Sequence, residues 1–462
     1  MGARGSSSVT QRATRAGRST VKDKAGGGIQ PLYKRLPHGP HRLERNEVIL
    51  HQRTRIHGAM IEAVAEGGYE GTSVKQVIGL AGVSRRSFYE QFGNKEAGFL
   101  ATFDVIAHQG LQRMRRAYLE TDGDMRARLR SAFATLAAAA TEDRKSALLV
   151  LAAAQTAGTA GTLRLCRAMT SCEQMLSACF AESPEATALP VPVVRGMVGG
   201  LHGALAALVR EGTLSDADEL AEQMLDWALR FQAPAAADLA ERMAPELTRR
   251  MREISMANAH GETAPDAVSE DPRERLLQNM LRLAALHEYR ELTAPQIADE
   301  SGLTIDEFFE HFAGKDECYV AALDMVGDEL LAIAANPELT SPDWPRAVRR
   351  TVGELMCHLA ARPLYARTIG QEAFFAGRVA VQRDLELARD LAALLTEGAP
   401  SQPSNPLTAE GVAGVIWHTI RCQVASGRIQ LLGALSDYVS YLVLAPFIGA
   451  EAAIEIVAED LR

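Results

Sequence analysis

Several polar side chains fall on one face of a short predicted helix, and their types suit contact with nucleic acid. These outward-facing residues are Arg85, Arg86, Ser87, Tyr89 and Gln91. Arginine donates paired hydrogen bonds to guanine, and hydroxyl groups donate to phosphate oxygens. Phe88 and Phe92 are four residues apart, which would place both on the opposite face, towards a core. The pattern predicts a helix that presents a basic surface to DNA.

A tight turn and a second helix must position this basic surface. Ser73 can cap the first helix and Ser84 the second, since serine hydroxyls accept hydrogen bonds from the first backbone amides of a helix. Gly82 lies between the two helices, where a left-handed backbone suits glycine because it has no Cβ. Two capped helices joined by such a turn predict a helix-turn-helix, whose second helix can enter the major groove of DNA.

This stretch resembles the DNA-binding domain of the TetR family of ligand-responsive repressors. The residues that carry the resemblance are Gly68, Tyr69, Ala81, Gly82, Val83, Ser84, Tyr89, Phe92, Lys95 and Glu96. The resemblance implies contact with double-stranded DNA through Thr72, Ser73, Ser84, Arg85, Arg86, Ser87, Tyr89, Lys95 and Arg55. It extends over about fifty residues, and the alternative is a structural helix pair within a larger α-helical protein.

The composition predicts an all-α fold with more than one domain. A chain of 462 residues suits two to four domains, and the low aromatic share of 5% favours packed helices over sheets. The resemblance implies a helix-turn-helix domain followed by a helical-bundle ligand domain. No GxGxxG after a strand, no phosphate-binding loop and no GxSxG motif is present, so neither catalytic residues nor a cofactor are expected.

The six cysteines predict neither a metal site nor a disulfide framework. None forms a CxxC pair or a cluster with histidine. Cys166, Cys172 and Cys179 lie along one predicted helix, either as small buried residues or as a redox sensor. No run of eighteen apolar residues and no apolar signal segment occurs, so we expect a cytoplasmic protein without a membrane span.

Positive charge is concentrated at the N-terminus. Residues 1–56 hold twelve Lys and Arg against three acids, whereas the whole chain carries −9. Residues 1–45 are rich in Gly, Ser and Arg without a hydrophobic period, which predicts a disordered basic arm. The arm is either a solubilising tail or a segment that contacts DNA phosphates beside the helix-turn-helix.

The helix-turn-helix pattern occurs a second time after a shift of 220 residues. Twelve of fifty aligned positions are identical, including Gly82 with Gly302 and Phe88 with Phe308. The repeat predicts two tandem units joined by a linker. The predicted domains are the arm (1–45), a helix-turn-helix (46–100), a ligand and dimerisation domain (101–233), a linker (234–270), a second, degenerate helix-turn-helix (271–320) and a second ligand and dimerisation domain (321–462).

The ligand domains show their own repeat at a shift of 215 residues, which pairs Gly196 with Gly411 and Gly199 with Gly414. Glycines three residues apart make a small helix face that allows close approach of another backbone. In TetR-family dimers the last two helices of each chain associate, and here 191–232 and 408–446 would supply both pairs. We therefore predict an intramolecular pseudo-dimer, with a homodimer of whole chains or ordinary packing within a domain as alternatives.

We call the two predicted helix-turn-helix domains the first head (46–100) and the second head (271–320). The second head differs from the first at the positions where DNA contact is expected. Ile305 and Asp306 replace the two arginines, and Phe309 replaces the tyrosine. Acidic residues repel phosphates, although a carboxylate can accept from cytosine N4. We predict that the second head binds DNA weakly or not at all, with Lys315 retained for one phosphate contact.

A small-molecule effector of unknown identity is the remaining predicted partner. The candidate pocket residues are Phe103, His108, Met169, Met175 and Trp227 in the first unit and Phe374, Phe375, Trp417 and His418 in the second. Most such side chains are more often plain core. The alternative function is a ligand- or protein-binding helical protein with little sequence-specific DNA binding.

Overall fold

A computed structural model gives the structure of the protein and describes residues 45–183, 186–236, 269–287, 289–336, 343–374, 376–401 and 405–459, with isolated positions between 236 and 269. The secondary structure of these residues is helical without strands, so the all-α prediction is confirmed. The predicted basic arm and most of the predicted linker lie outside the described residues.

The first unit contains nine α-helices in its described part. They are α1 (Arg45–Gly71), α2 (Val74–Ala81), α3 (Arg85–Gln91), α4 (Lys95–Glu120), α5 (Met125–Glu142), α6 (Arg144–Leu148), α7 (Gly158–Glu182), α8 (Val191–Glu211) and α9 (Ala217–Leu229). Helices α1 to α3 form the first head. Helix α4 leads from the head into a bundle in which it packs on α5 and α7, while α5 packs on α9 and α7 on α8.

The second unit follows the same order through its head. Its described helices are α10 (Pro272–Leu286), α11 (Ala294–Glu300), α12 (Ile305–His311), α13 (Lys315–Ala334), α14 (Trp344–Ala361), α15 (Pro363–Gly370), α16 (Arg378–Thr396), α17 (Leu407–Ala425), α18 (Ser436–Ile448) and α19 (Ala450–Ala458). Helices α10 to α12 form the second head. The bundle packs α13 and α17 against α16, and α14 against α18.

Two stretches of the bundles change helix type or direction. Between α5 and α7, α6 is followed by a π-helical turn at Leu149–Ala153 and a 3₁₀ turn at Gln155–Ala157. A 58° bend lies between Arg144–Ala153 and Gln155–Glu182, and Gly158, the first residue of α7, has a φ of 84° that side chains other than glycine rarely adopt. Between α15 and α16, Gly377 has a φ of 100° directly before α16 begins. A left-handed glycine therefore stands at the start of both α7 and α16.

The two units are joined by a close crossing of α8 and α17, the most extensive helix–helix contact in the described part of the chain. Glycines line this crossing. A Cβ placed on Gly203 would lie 2.7 Å from the Gly414 Cα, and one on Gly414 would lie 2.7 Å from the Gly199 carbonyl oxygen. Because only glycine leaves room for such backbone contact, these residues allow the two helices to approach.

The crossing has approximate two-fold symmetry within one chain. The shift of 215 residues relates Gly203 to His418 and Gly199 to Gly414. The contact of Gly203 with Gly414 therefore corresponds to the contact of Gly199 with His418, and both pairs of residues lie close together. Likewise, Gly200 lies near the Gly411 carbonyl and Gly196 near Val415, with added Cβ atoms at 3.0 and 3.6 Å. Such reciprocal contacts characterise isologous dimer interfaces. The contact between α8 and α17 is therefore reciprocal within one chain.

Further contacts link the two units around this crossing. The Tyr441 hydroxyl donates to the Phe231 carbonyl at 2.8 Å, and Arg230 donates to the Pro446 carbonyl at 3.0 Å. The Asn405 amide donates to the Gln223 carbonyl at 2.8 Å. Polar side chains of each unit therefore donate to backbone carbonyls of the other, which fixes the register of the crossing.

Two helical segments have the length and apolar composition that could cross a membrane. They are Val191–Glu211 and Ile429–Ile448, and the bent pair Arg144–Ala153 with Gln155–Glu182 would make a third among the described residues. In the two single segments, 67% and 72% of the apolar window is buried inside the protein. Their apolar character therefore serves the packing between and within the units.

Candidate DNA-binding head and effector cavity

The first head has the capped helix-turn-helix geometry that its sequence indicates. The Ser73 hydroxyl accepts a hydrogen bond from the Gln76 amide at 3.2 Å, and the Ser84 hydroxyl accepts one from the Ser87 amide at 3.0 Å. Gly82 ends α2 with a φ of 60° in the left-handed region. These local contacts set the direction of α3 relative to α2.

Helix α3 has one buried and one exposed face. Phe88 and Phe92 are buried with ring centroids 5.6 Å apart. On the other face, Arg85, Arg86 and Tyr89 are exposed. The Arg85 guanidinium lies 5.7 Å from the Tyr89 ring centre, and Arg86 pairs with Glu90 at 2.8 Å. An exposed pair of this kind contributes little stability, so Arg86 can exchange Glu90 for a phosphate or a base.

Four residues predicted to face DNA instead hold the head together. Thr72 is buried and donates to the Gly68 carbonyl at 2.7 Å. Ser87 and Gln91 are half-buried and both donate to Gln52 of α1, at 2.5 and 3.3 Å. The Arg55 guanidinium donates to the carbonyls of Ala81 and Gly82 at the end of α2. Tertiary partners thus occupy the polar groups of Thr72, Ser87 and Arg55 in this structure, and the DNA contacts of these three residues stay a prediction.

Lys95 and its counterpart Lys315 also have a structural position. The Lys95 ammonium donates to the Tyr69 carbonyl at 3.0 Å and lies 4.1 Å from the Tyr69 ring centre. Lys315 does the same with Tyr289, at 2.9 and 4.7 Å. The lysine therefore makes the same contact with a tyrosine inside both heads. Its presence in the second head is thus no argument that Lys315 contacts a phosphate.

Replacing Lys95 with methionine should lower the stability of the head by about 1–2 kcal/mol, because a hydrogen bond and a cation–π contact are lost. Chemical denaturation measures this change. Lys75→Met is the matched control, since Lys75 is exposed on α2. If Lys95 contacts a phosphate instead, its replacement should leave the stability unchanged and should lower the salt dependence of DNA binding by roughly one contact.

The second head presents a different surface on α12. Thr304 and Glu307 form a capping box, in which the Glu307 carboxylate accepts from the Thr304 amide at 2.7 Å. This hydrogen bond holds the pKa of Glu307 below its usual range. The outward face then consists of Asp306, Glu310 and Phe309, whose side chain is 53% exposed where the first head has its tyrosine. The face carries no arginine to read a guanine.

The first ligand domain encloses an apolar cavity of about 190 Å³ between α4, α5, α7, α8 and α9. Met169 and Met175 line it, as predicted. The other three predicted residues do not: Phe103 lies in the core, His108 is exposed, and Trp227 fills the helix crossing. The Trp227 indole donates to the Met197 carbonyl at 3.2 Å and covers Gly200 and Gly411.

Two of the residues predicted for a pocket in the second unit, Trp417 and His418, have buried side chains with identified neighbours. Trp417 is buried and donates to Asp384 at 3.0 Å. His418 is buried against Gly199 and lies 3.8 Å from the Glu173 carboxylate of α7. Phe375 lies outside the described residues, and of Phe374 only the backbone is described. His418 therefore packs at the crossing and Trp417 packs on α16, and their assignment to a second effector pocket stays a prediction.

Several polar cavity residues could not be found from the sequence. Arg113 lines the 190 Å³ cavity at its exposed α4 wall, and His202 lines it from α8. Arg421 is half-buried on α17 and donates to Gln155 of the first unit at 3.0 Å. Of these residues, Arg421 could have been singled out in the sequence, because it lies within an otherwise apolar helix. A charged side chain in such a helix needs a partner from elsewhere in the protein.

The three cysteine thiols of α7 have raised pKa values because they are removed from water. All six cysteines are free. Burial raises the pKa of Cys172 to about 12 and raises those of Cys166 and Cys179 above the usual value. A redox-sensing cysteine needs a low pKa and access to solvent, so these data favour the structural alternative. Among the described residues, no group of three or more His, Cys, Asp or Glu side chains could hold a metal ion.

Comparison with known proteins supports the resemblance of the first head. Residues 59–112 match the family model for bacterial regulatory proteins of the tetR family. This segment runs from the middle of α1 into α4 and contains the whole of α2 and α3. No curated protein matches the chain.

Solved structures of regulators are similar to part of the chain. The transcriptional regulator FadR from Bacillus subtilis in complex with stearoyl-CoA is 20% identical over 38% of this chain and 96% of its own, with a TM-score of 0.35. The fatty acid degradation regulator FadR from Bacillus halodurans is 19% identical over 38% and 94%, with a TM-score of 0.36. A TetR-like transcriptional regulator from Rhodococcus sp. RHA1 is 18% identical over 41% and 97%, with a TM-score of 0.33.

Proposed function

We propose that the protein is a TetR-like transcriptional regulator, acting as a repressor in the cytoplasm without catalytic activity or a cofactor. The single observation that carries this proposal is the exposed face of α3. Arg85, Arg86 and Tyr89 lie on it, opposite a buried aromatic core and within a capped helix-turn-helix. This geometry is that of a helix that reads bases in the major groove while the neighbouring helix supports it.

The cavity of the first ligand domain supports control by a small apolar effector. Its walls are largely aliphatic and thioether side chains, which recognise apolar molecules by burial from water. An effector can control DNA binding only if it binds the competent and incompetent states of the protein with different affinity. Helix α4 supplies such a connection, since it begins in contact with the first head and ends as a wall of the cavity.

We also propose that one chain acts alone, as a pseudo-dimer that arose by tandem duplication. The reciprocal glycine contacts of α8 and α17 support this arrangement, because they use within one chain the helix faces that would otherwise pair two chains. Tandem fusion also allows the two heads to diverge, which a homodimer does not. The acidic face of α12 fits such a divergence, and the second head is then a weak or silent reader.

Selection of bound sequences from random DNA, combined with light scattering at micromolar protein, tests this function. We expect an enriched asymmetric site with one well-defined half, and a particle mass near 49.9 kDa for the free protein. A palindromic site with a mass near twice that value would refute the pseudo-dimer while keeping the DNA-binding function. Absence of any enriched sequence would favour the alternative of a ligand- or protein-binding helical protein.

A further inference from the structure

The apolar cavity of the first ligand domain has a polar mouth on α4. Of the described residues that line the cavity, Gln109 and Arg113 are exposed, and all the others are buried or half-buried. These two residues lie four positions apart, which places them one turn from each other on the same face of α4. The cavity of about 190 Å³ therefore opens to solvent beside this amide and this guanidinium.

The interior of the cavity offers no charge to a ligand at neutral pH, as far as its described lining residues show. Burial lowers the pKa of His202 to about 3, so its imidazole is neutral. Burial raises the pKa of the Cys172 thiol to about 12, so this group is neutral too. The Ser146 hydroxyl donates to the Asp143 carboxylate at 2.6 Å. An ionic group of a ligand would find no counter-charge in this interior, and its burial there would be costly.

Arg113 is the charged member of the described lining residues, and its charge has no protein partner among them. Residues 109–117 of α4 contain three arginines and no acid, so no carboxylate lies within one turn of Arg113 on its own helix. The nearest acid along α4, Glu120, pairs with Arg116 at 3.9 Å. The lining residues that α5 and α7 contribute include no acid either. The guanidinium at the mouth is therefore available to a ligand.

We infer that Arg113 binds the carboxylate of an amphipathic effector at the mouth of the cavity, while the apolar body of the effector fills the interior. This inference rests on the proposed function, in which the cavity holds an effector. A guanidinium donates two parallel hydrogen bonds to a carboxylate, and such charge-assisted bonds are stronger than those between neutral groups. Arg113 is then the residue that selects an organic acid over a neutral or cationic compound of the same shape.

The size of the cavity limits the apolar body of this effector. An apolar protein cavity of about 150 Å³ can hold benzene. A cavity of about 190 Å³ therefore suits a short aliphatic chain or a single substituted ring. The effector class is accordingly a small amphipathic carboxylic acid, bound with its chain inwards and its carboxylate outwards.

This orientation joins the effector's carboxylate to the helix that begins in the first head. Helix α4 starts at Lys95, whose ammonium donates to the Tyr69 carbonyl within that head. Arg113 lies about five turns further along the same helix. The affinity for the carboxylate would therefore depend on where α4 lies relative to the other cavity walls. A difference of this kind between two states of the protein is what control by an effector requires.

Calorimetric titration of the full chain without DNA tests the inference, with octanoate, 1-octanol and octylammonium as probes. The unmodified protein should bind octanoate at least about tenfold more tightly than 1-octanol, the effect expected for one charge-assisted contact, and should bind octylammonium least. Arg113→Met should lose this preference while binding 1-octanol within about twofold of the original, since methionine keeps an apolar stem at the mouth. Arg115→Met is the matched control and should keep the preference, because Arg115 is exposed on α4 without lining the cavity.

A cavity-filling variant shows where the probes bind. Ala139 lines the cavity from α5, so Ala139→Phe should weaken the binding of octanoate and 1-octanol together. Retained 1-octanol binding shows that Arg113→Met is folded. Equal affinity for the three probes, an unchanged preference in Arg113→Met, octanoate binding that Ala139→Phe does not weaken, or no binding of any probe would overturn the inference. None of these outcomes depends on DNA, so a failed inference leaves the DNA selection result unaffected.

Discussion

Replacing Gly203 with alanine should lower the free energy of unfolding by about 2 kcal/mol. The new Cβ would lie 2.7 Å from the Gly414 Cα, and a backbone atom cannot move aside as a side chain end can. The helices α8 and α17 would have to separate along their whole contact. We expect this loss of stability even though alanine favours a helix over glycine by about 0.8–1 kcal/mol. Chemical denaturation measures the change.

Gly353→Ala is the matched control for the crossing. Gly353 lies inside α14, and a Cβ there would meet no atom within 4 Å, so this substitution should stabilise the protein by up to about 1 kcal/mol. Gly414→Ala should resemble Gly203→Ala. The double variant should cost less than the sum of the two, because one separation of the helices relieves both clashes. Equal effects of Gly203→Ala and Gly353→Ala would show that the crossing is not close packed in solution.

Replacing both Arg85 and Arg86 with alanine should lower affinity for the selected DNA site about 100-fold or more. Each arginine that reads a base edge contributes about 1–3 kcal/mol, and loss of that contact relaxes the preference at one position of the site. Both side chains are exposed, and the pair of Arg86 with Glu90 on its own helix is exposed too, so the thermal stability of the protein should not change. Fluorescence anisotropy with the selected duplex measures the affinity.

Asp306→Ala, combined with Glu310→Ala, provides the control in the second head. These residues occupy the outward face of α12, with Asp306 at the position that Arg86 has in α3. If the second head is silent, this double variant should change affinity by less than about twofold. A gain of tenfold or more would mean that α12 lies near DNA phosphates and repels them. Unchanged affinity of the Arg85 and Arg86 variant would refute the assignment of α3 as the reading helix.

The local geometry of the first head could be predicted from the sequence by itself. Ser73 and Ser84 cap their helices, Gly82 takes the left-handed conformation, and Phe88 and Phe92 enter the core, all as their spacing indicates. Each of these features depends on hydrogen bonds or contacts between residues at most four positions apart. Such interactions depend on residue type and spacing alone, so a pattern in the chain is sufficient to identify them.

The roles of residues with distant partners were decided by the tertiary structure. Thr72, Arg55 and Lys95 have side chains that suit DNA, yet each donates to a backbone carbonyl inside the head. Trp227 and His418 resemble pocket residues in sequence, but they fill the crossing between the units. A side chain's chemistry states what it can bind, whereas packing over long sequence separations determines which partner lies within reach. For that reason the capped helix-turn-helix was visible in the sequence, and the side chains that fill the crossing of α8 and α17 were not.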